Sequence, residues 1–377
     1  MAFAPRLPAP CYVLLFLCIA AWGSYAPLRR TSKGVAGSTF GSLAFLAELV
    51  WACTACFVGG SLGSGTGASD VFDEDENFLQ RLSTDVAGDP SAAMLVLLGG
   101  ALVGFGDSVS FTVLSYVPSS LAFPLIVGTC TAVGTTVSYF VDGSAKPAFL
   151  FSGIALLLPS VGLLSYAQSL SPKGEDPGQK SDSEAKGGAG DIVVEMIDSE
   201  NAGDASRADI PISAATGTVR WKWILLLIAI GTINAMWGPL STVGRRKCSV
   251  HSAYFLLSMG RIGIQPFSQS LTQLCVFRRT PWHLFRECWN TPRPDKVCAF
   301  CCGLLIGVGY YTYFIGSNVV NKSASFAISN CSPLWTIVVG VFCCRDLKYY
   351  QGRAKVAVLA SAMCFIVAVA LLSLSGS

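Results

Sequence analysis

Three ionisable side chains, Glu48, Asp107 and Arg261, stand inside apolar runs long enough to span a bilayer. A charge in hydrocarbon is expensive, so such residues pair with one another or handle ions and protons. Asp107 follows Gly106 and precedes Ser108 and Ser110, a polar patch beside a residue that admits close approach. A carboxyl that loads and releases a proton must be able to shed its charge in those surroundings. Asp107 has no basic residue in its own segment, which makes it the expected proton-coupling residue, with Glu48 second. Glu48 and Arg261 are expected to meet as a gating or structural ion pair between the two halves of the chain. A purely structural pair is the plain alternative for both.

The segment around Arg261 is the most polar of the apolar runs. Gln265, Ser268, Gln269 and Thr272 follow Arg261 at helical spacing and share a face. Amides donate and accept together, which suits a ligand with alternating N–H and C=O groups; a water-lined seam between helices explains the same pattern. Thr131 belongs to a threonine-rich segment whose hydroxyls can also return to their own helix. Trp22, Trp237 and Tyr310 could stack on a planar ring, with membrane-interface belting as the competing account. Asn330-Cys-Ser-Pro333 should interrupt one span and Pro124 another, freeing backbone groups near a binding centre. The expected substrate-binding set is Trp22, Asp107, Thr131, Trp237, Gln265, Gln269, Tyr310 and Asn330.

Other chemistry finds little support. Cys53-x-x-Cys56 has metal spacing but no neighbouring histidine, and most of the cysteines lie in apolar runs, where a thiol acts as a small apolar residue. No metal site is expected. Gly174 to Ser181 has the wrong spacing for a phosphate loop and no strand before it. The reading is of a non-enzyme without cofactor, and without nucleic acid as a partner.

What must position these residues is a set of membrane helices. Of 377 residues 52% are hydrophobic and 13% charged, against roughly 25% charged in soluble domains. The apolar runs are Cys11–Ala26, Phe40–Gly60, Ala92–Val117, Leu121–Val141, Ala148–Gln168, Trp223–Val243, Ser252–Phe277, Val297–Val320, Ala324–Cys344 and Ala354–Leu374. The first is short and follows Arg6 as a cleaved signal peptide would. Against cleavage, its Trp22-Gly23 recurs as Trp237-Gly238 in the sixth run. Leu102-Val-Gly104-Phe-Gly106 likewise recurs as Leu305-Ile-Gly307-Val-Gly309, and the same register carries Val117 to Val320, Ser120 to Ser323 and Phe123 to Phe326. Ten spans divide as five and five, and an odd number per copy inverts the second copy in the membrane.

The expected fold is therefore an all-α multi-pass protein of ten transmembrane helices in a 5+5 inverted repeat. Residues 1–168 form the first repeat, 169–220 a hydrophilic linker poor in aromatics and expected to be disordered, and 221–377 the second repeat. Lys and Arg are concentrated in the loops after odd-numbered spans and in the linker, which predicts a cytosolic linker and external termini. Arg245-Arg246-Lys247 is the exception on the opposite side.

Two passages resemble the ureide permeases, a family of the drug/metabolite transporter superfamily: Gly134-Thr-Thr-Val-Ser-Tyr139-Phe-Val-Asp142, and Asn77-Phe-Leu-Gln-Arg-Leu82 leading into the glycine-rich third span. Pro333-Leu-Trp335 and Phe365-Ile-Val-Ala-Val-Ala370 are similar too. The resemblance implies a drug/metabolite transporter-like fold and proton-coupled transport of allantoin, uracil or related nitrogen heterocycles. Its implied partners are a small-molecule substrate, H+ and the lipid bilayer, with the plasma membrane favoured over an internal one and a homo-oligomer left open. A sugar or nucleotide-sugar carrier of the same superfamily is the second reading, and a membrane receptor or scaffold the third.

Overall fold

The structure, a computed structural model, describes residues 9–30, 32, 37–61, 77–113, 119–143, 145–170, 221–275, 280–318, 322–335, 339 and 352–376. Every regular element among them is a helix. In chain order they are α1 (Ala9–Arg30), α2 (Gly37–Ser61), α3 (Phe78–Gly88), α4 (Pro90–Val113), α5 (Ser119–Asp142), α6 (Pro147–Leu170), α7 (Trp221–Ala235), α8 (Trp237–Gly244), α9 (Val250–Cys275), α10 (Pro281–Asn290), α11 (Arg293–Gly316), α12 (Lys322–Ser329) and α13 (Arg353–Gly376). The linker beyond Leu170, the acidic stretch 70–76 and the glycine motif from Gly174 lie outside the described residues, as do Val117 and Val320 of the repeat.

Six described stretches are long and apolar enough to cross a membrane, and two shorter apolar helices, Cys11–Tyr25 and Pro147–Leu163, accompany them. The helix α9 is long enough but too polar to count among the six. Its polar residues Ser258, Arg261, Gln265, Ser268, Gln269 and Thr272 are all buried inside the bundle rather than turned to lipid. That is how a membrane helix carries such a face without exposing it to hydrocarbon.

Two helices were not anticipated. In α3, Asn77 accepts from the Gln80 backbone at 3.0 Å while the Gln80 side chain accepts from the Asn77 backbone at 3.1 Å, a reciprocal cap that starts the helix. The other, α10, begins with Pro281 in its first turn and presents Trp282, Phe285 and Trp289 outward.

Helices from the first half pack mainly on helices from the second. Neighbours are α4 with α9, α2 and α1 with α11, α5 with α7, and α6 with α13. Glycine permits the closest of these contacts. A Cβ on Gly104 would lie 2.7 Å from the Arg261 backbone, so no larger residue allows α4 and α9 this approach.

The expected helix breaks come out differently. Pro124 lies within a continuous α5, close to its start, and does not interrupt it. The sixth span does turn at Met236, between α7 and α8. Helix α12 stops at Ser329, the chain turns through Asn330 and Cys331, and helix resumes at Ser332. Pro333 thus occupies a first helical turn, where its missing N–H costs least.

The basic exception in the charge pattern has a structural cause. Arg245 donates to Ser317 Oγ at 2.6 Å, to the Phe314 carbonyl at 2.8 Å and to Asn318 Oδ1, closing the C-terminal end of α11. Arg246 donates to the Val141 carbonyl at the end of α5 at 2.6 Å. Both guanidiniums are engaged with helix ends, where cations are favourable.

Candidate functional site

A cavity of about 110 Å³ lies where α1, α4, α5, α7, α8, α11 and the turn after α12 converge, lined among others by Trp22, Tyr25, Asp107, Asn234, Trp237, Tyr310 and Asn330. Its walls are aromatic because large rings fill the space between helices held close by glycine. Trp22 and Tyr310 meet edge to face at 4.9 Å, and Trp237 meets Tyr310 at 5.2 Å and Tyr313 at 4.9 Å. The indole N–H of Trp22 donates to the Ile306 carbonyl at 3.3 Å, fixing that ring. Trp237 is the first residue after the Met236 turn, and that turn lets its ring enter the centre of the bundle.

The polar groups converge on one side. Asn234 Nδ2 donates to Asp107 Oδ1 at 3.1 Å, and Arg261 donates to Asp107 Oδ2 at 2.6 Å. The other arm of the same guanidinium bonds Glu48 Oε1. Glu48 and Arg261 are fully buried, while the Asp107 side chain keeps some exposure toward the cavity. The guanidinium carbon lies 4.5 Å from the centre of the Tyr310 ring and 5.0 Å from that of Phe45, a favourable placement for a desolvated cation.

This corrects one expectation. Glu48 does meet Arg261, but Asp107 is not left without a cation, because α9 places Arg261 between α2 and α4. The reason is tertiary: no sequence spacing within α4 could have supplied that charge.

Of the expected substrate-binding residues, Trp22, Asp107, Trp237, Tyr310 and Asn330 are brought to the cavity. Thr131 turns its hydroxyl to the Val127 carbonyl of its own helix at 2.8 Å and is not among the lining residues. Gln265 and Gln269 are buried along α9 and are not among them either. Asn330 bonds the Phe326 carbonyl at 2.8 Å through Nδ2, while its Oδ1 faces the Cys130 thiol at 3.9 Å. Sequence reasoning missed Asn234, Tyr25 and Cys130. An asparagine in the mostly apolar Ile224–Ala235 stretch was the available signal for the first; Tyr25 and Cys130 carried none.

No group of three or more His, Cys, Asp or Glu side chains able to hold a metal occurs among the described residues. Cys56 instead points its thiol at the His251 carbonyl, 3.6 Å away.

Fold and site define a multi-pass helical membrane protein with a small, partly polar cavity between its halves. The chain is similar to Ureide permease 5 of Arabidopsis thaliana, 22% identical over 406 residues that cover 97% of this chain and 93% of that protein. No family model matches it. A solved crystal structure shares the fold across 96% of this chain and 97% of its own, with a TM-score of 0.55 and 13% identity. The similarity is to a permease rather than to an enzyme, in keeping with the helical membrane architecture.

Proposed function

We propose that the protein is a secondary transporter of small nitrogen heterocycles, allantoin, uracil or related ureides, driven by protons. The observation that carries this reading is the charge count at the cavity edge: two carboxylates, Asp107 and Glu48, share one guanidinium, Arg261. A buried cluster one positive charge short of neutrality invites a proton or a cation. Asp107 and Asn234 offer an acceptor and an amide side by side, the complement of a ring with adjacent N–H and C=O groups. Trp22, Tyr310 and Trp237 supply faces and edges for a flat solute. The cavity is smaller than the roughly 300–1,000 Å³ of drug-sized sites, which suits a small ring. The permease relative and the membrane-length helices support the same class.

The architecture of this reading is a 5+5 inverted repeat, residues 1–168 and 221–377, in the drug/metabolite transporter manner. Its support is the recurrent glycine motif and a reciprocal packing pattern, in which α4 meets α9 as α11 meets α2. Under it, the linker is cytosolic and the cavity sits on the repeat interface. Residence in the plasma membrane is part of the proposal.

The test is uptake into proteoliposomes of labelled allantoin, uracil and a panel of sugars, with and without an imposed pH gradient. Accumulation of a heterocycle that needs the gradient is expected. Removing either carboxyl of the cluster, by Asp107→Asn or by Glu48→Gln, should abolish accumulation driven by the pH gradient. Accumulation of sugars alone would replace the heterocycle reading with a sugar carrier.

A further inference from the structure

Alongside the cavity runs a second polar feature that substrate recognition does not use. Arg261, Gln265, Gln269 and Thr272 follow one another on one face of α9 over about 16 Å. All four are at least nine-tenths buried. Five polar atoms here have no partner among the described residues: Glu48 Oε2, Arg261 Nε, Gln265 Nε2, and both Nε2 and Oε1 of Gln269. Buried polar atoms are almost always satisfied, and those without a protein partner are satisfied by water where room allows.

Arg261 meets the cavity edge through Asp107, but aromatic rings stand between Gln269 and the cavity. Phe111 lines the cavity, and its ring packs beside Gly41 of α2, where a Cβ would lie 3.0 Å from Phe111 and 3.6 Å from Gln269 Nε2. Phe45 meets Phe111 edge to face at 6.4 Å. Gln269 therefore faces α2 behind these rings. Near the start of α2, Thr39 donates to Glu287 Oε2 of α10 at 2.8 Å, and Glu287 is partly exposed. Thr39, two residues before Gly41, thus ties α2 to the carboxylate of α10, while Arg261 at the other end of the polar line meets the buried carboxylates.

We propose that the seam between α2 and α9 is a hydrated proton path, distinct from the substrate cavity, leading from the Glu287 end to Oε2 of Glu48. The acceptor follows from the hydrogen bonds. Both oxygens of Asp107 are occupied, by Asn234 and by Arg261, whereas Glu48 gives only Oε1 to Arg261 and leaves Oε2 free. In the step, a hydrated proton in the seam is transferred to Oε2, leaving water and a neutral carboxyl. Arg261 then holds Asp107 as its one charged partner. Release reverses the transfer. The ionisable groups around Glu48 are Arg261 and Tyr254 of α9, Asp107 of α4 and Tyr310 of α11. Asp107 thereby reports substrate in the cavity and Glu48 reports protons from the seam, with Arg261 shared between them. This inference rests on the coupling reading above.

Two measurements on the full chain in liposomes test it. In the first, Gln265→Leu and Gln269→Leu block the seam without touching the cavity lining. Each should slow pH-gradient-driven accumulation roughly tenfold, equivalent to about 1.4 kcal/mol on the barrier, and leave substrate counterflow close to native. Gln269→Glu, which keeps a polar group, should retain most of the accumulation. Native accumulation in both leucine variants overturns the path. In the second, brief X-ray radiolysis oxidises side chains that have water beside them. Phe45, buried against Arg261, should be labelled in the native protein and protected by Gln269→Leu; an unlabelled native Phe45 overturns the hydrated seam. Counterflow without any response to pH in the native protein would sink the coupling reading itself, while Phe45 labelling still reports on the seam.

Discussion

Two arginines of this chain lie over aromatic rings in the same bundle and do different work. Arg245 sits 4.9 Å from the centre of the Phe314 ring and gives its N–H groups to a carbonyl, a hydroxyl and an amide at the end of α11. Arg261 sits 4.5 Å from the Tyr310 ring and gives its N–H groups to two carboxylates. The partners of Arg245 keep their charge state at any physiological pH, so that cluster is a fixed clasp. The partners of Arg261 can each take up a proton, so its cluster has more than one state of similar geometry. Chemistry belongs where the counter-groups can change, and burial alone does not locate it.

The largest effect should come from breaking the second cluster. Arg261→Gln leaves two buried carboxylates without a cation, which costs about 3–5 kcal/mol for a broken buried pair. Thermal unfolding in detergent should fall sharply and accumulation should vanish. Adding Glu48→Gln to that variant should recover part of the stability, because the two positions are in contact and their effects are not additive. Equal stability of the single and double variants would show that the pair carries no coupling.

Arg245→Leu sharpens the comparison from the other side. It removes the strong donors to the Phe314 carbonyl and the Ser317–Asn318 turn, leaving that carbonyl only the longer Ser317 hydroxyl bond at 3.4 Å, for about 1–3 kcal/mol. The melting temperature should drop, while transport per folded molecule and its pH dependence stay as they were. A shifted pH profile in Arg245→Leu would erase the distinction between clasp and cluster.

The smallest effect concerns a charge in neither place. Asp89, half-buried between α3 and α4, accepts from Ser91 Oγ at 2.6 Å and from the Ala92 backbone at 3.0 Å. These bonds hold its carboxyl below the usual range, the Ser91 hydroxyl contributing most. A folded-state pKa that is lowered stabilises above the unfolded value and is lost as pH falls through the folded one. Asp89→Ala should therefore lower the melting temperature slightly at neutral pH, and the difference from native should close below about pH 4. A difference that persists in acid would assign the effect to the cap geometry rather than to the charge.

Much of this was legible in the chain. Apolar runs, the repeated glycine motif and three charges in hydrocarbon announce a membrane protein and single out Glu48, Asp107 and Arg261, which the structure brings together, because bilayer thickness and desolvation act on single residues and short windows. The aromatic residues Trp22, Trp237 and Tyr310 were likewise readable as a stacking set. The capped α3 was available too, since Asn77 and Gln80 carry the start signal in their spacing.

What only the tertiary structure decided is which groups face one another. Whether Arg261 serves one carboxylate or two depends on how closely glycine lets α4 approach α9. Whether the amides of Gln265 and Gln269 face a ligand depends on where the rings of Phe45 and Phe111 stand. Pro124 shows the same limit locally, for a proline interrupts a helix or merely begins one according to where the preceding turn lies. Spacing along one helix fixes the face a residue occupies, but the neighbour on that face comes from another helix, often in the other half of the chain. That neighbour decides whether the residue binds, clasps or carries a proton.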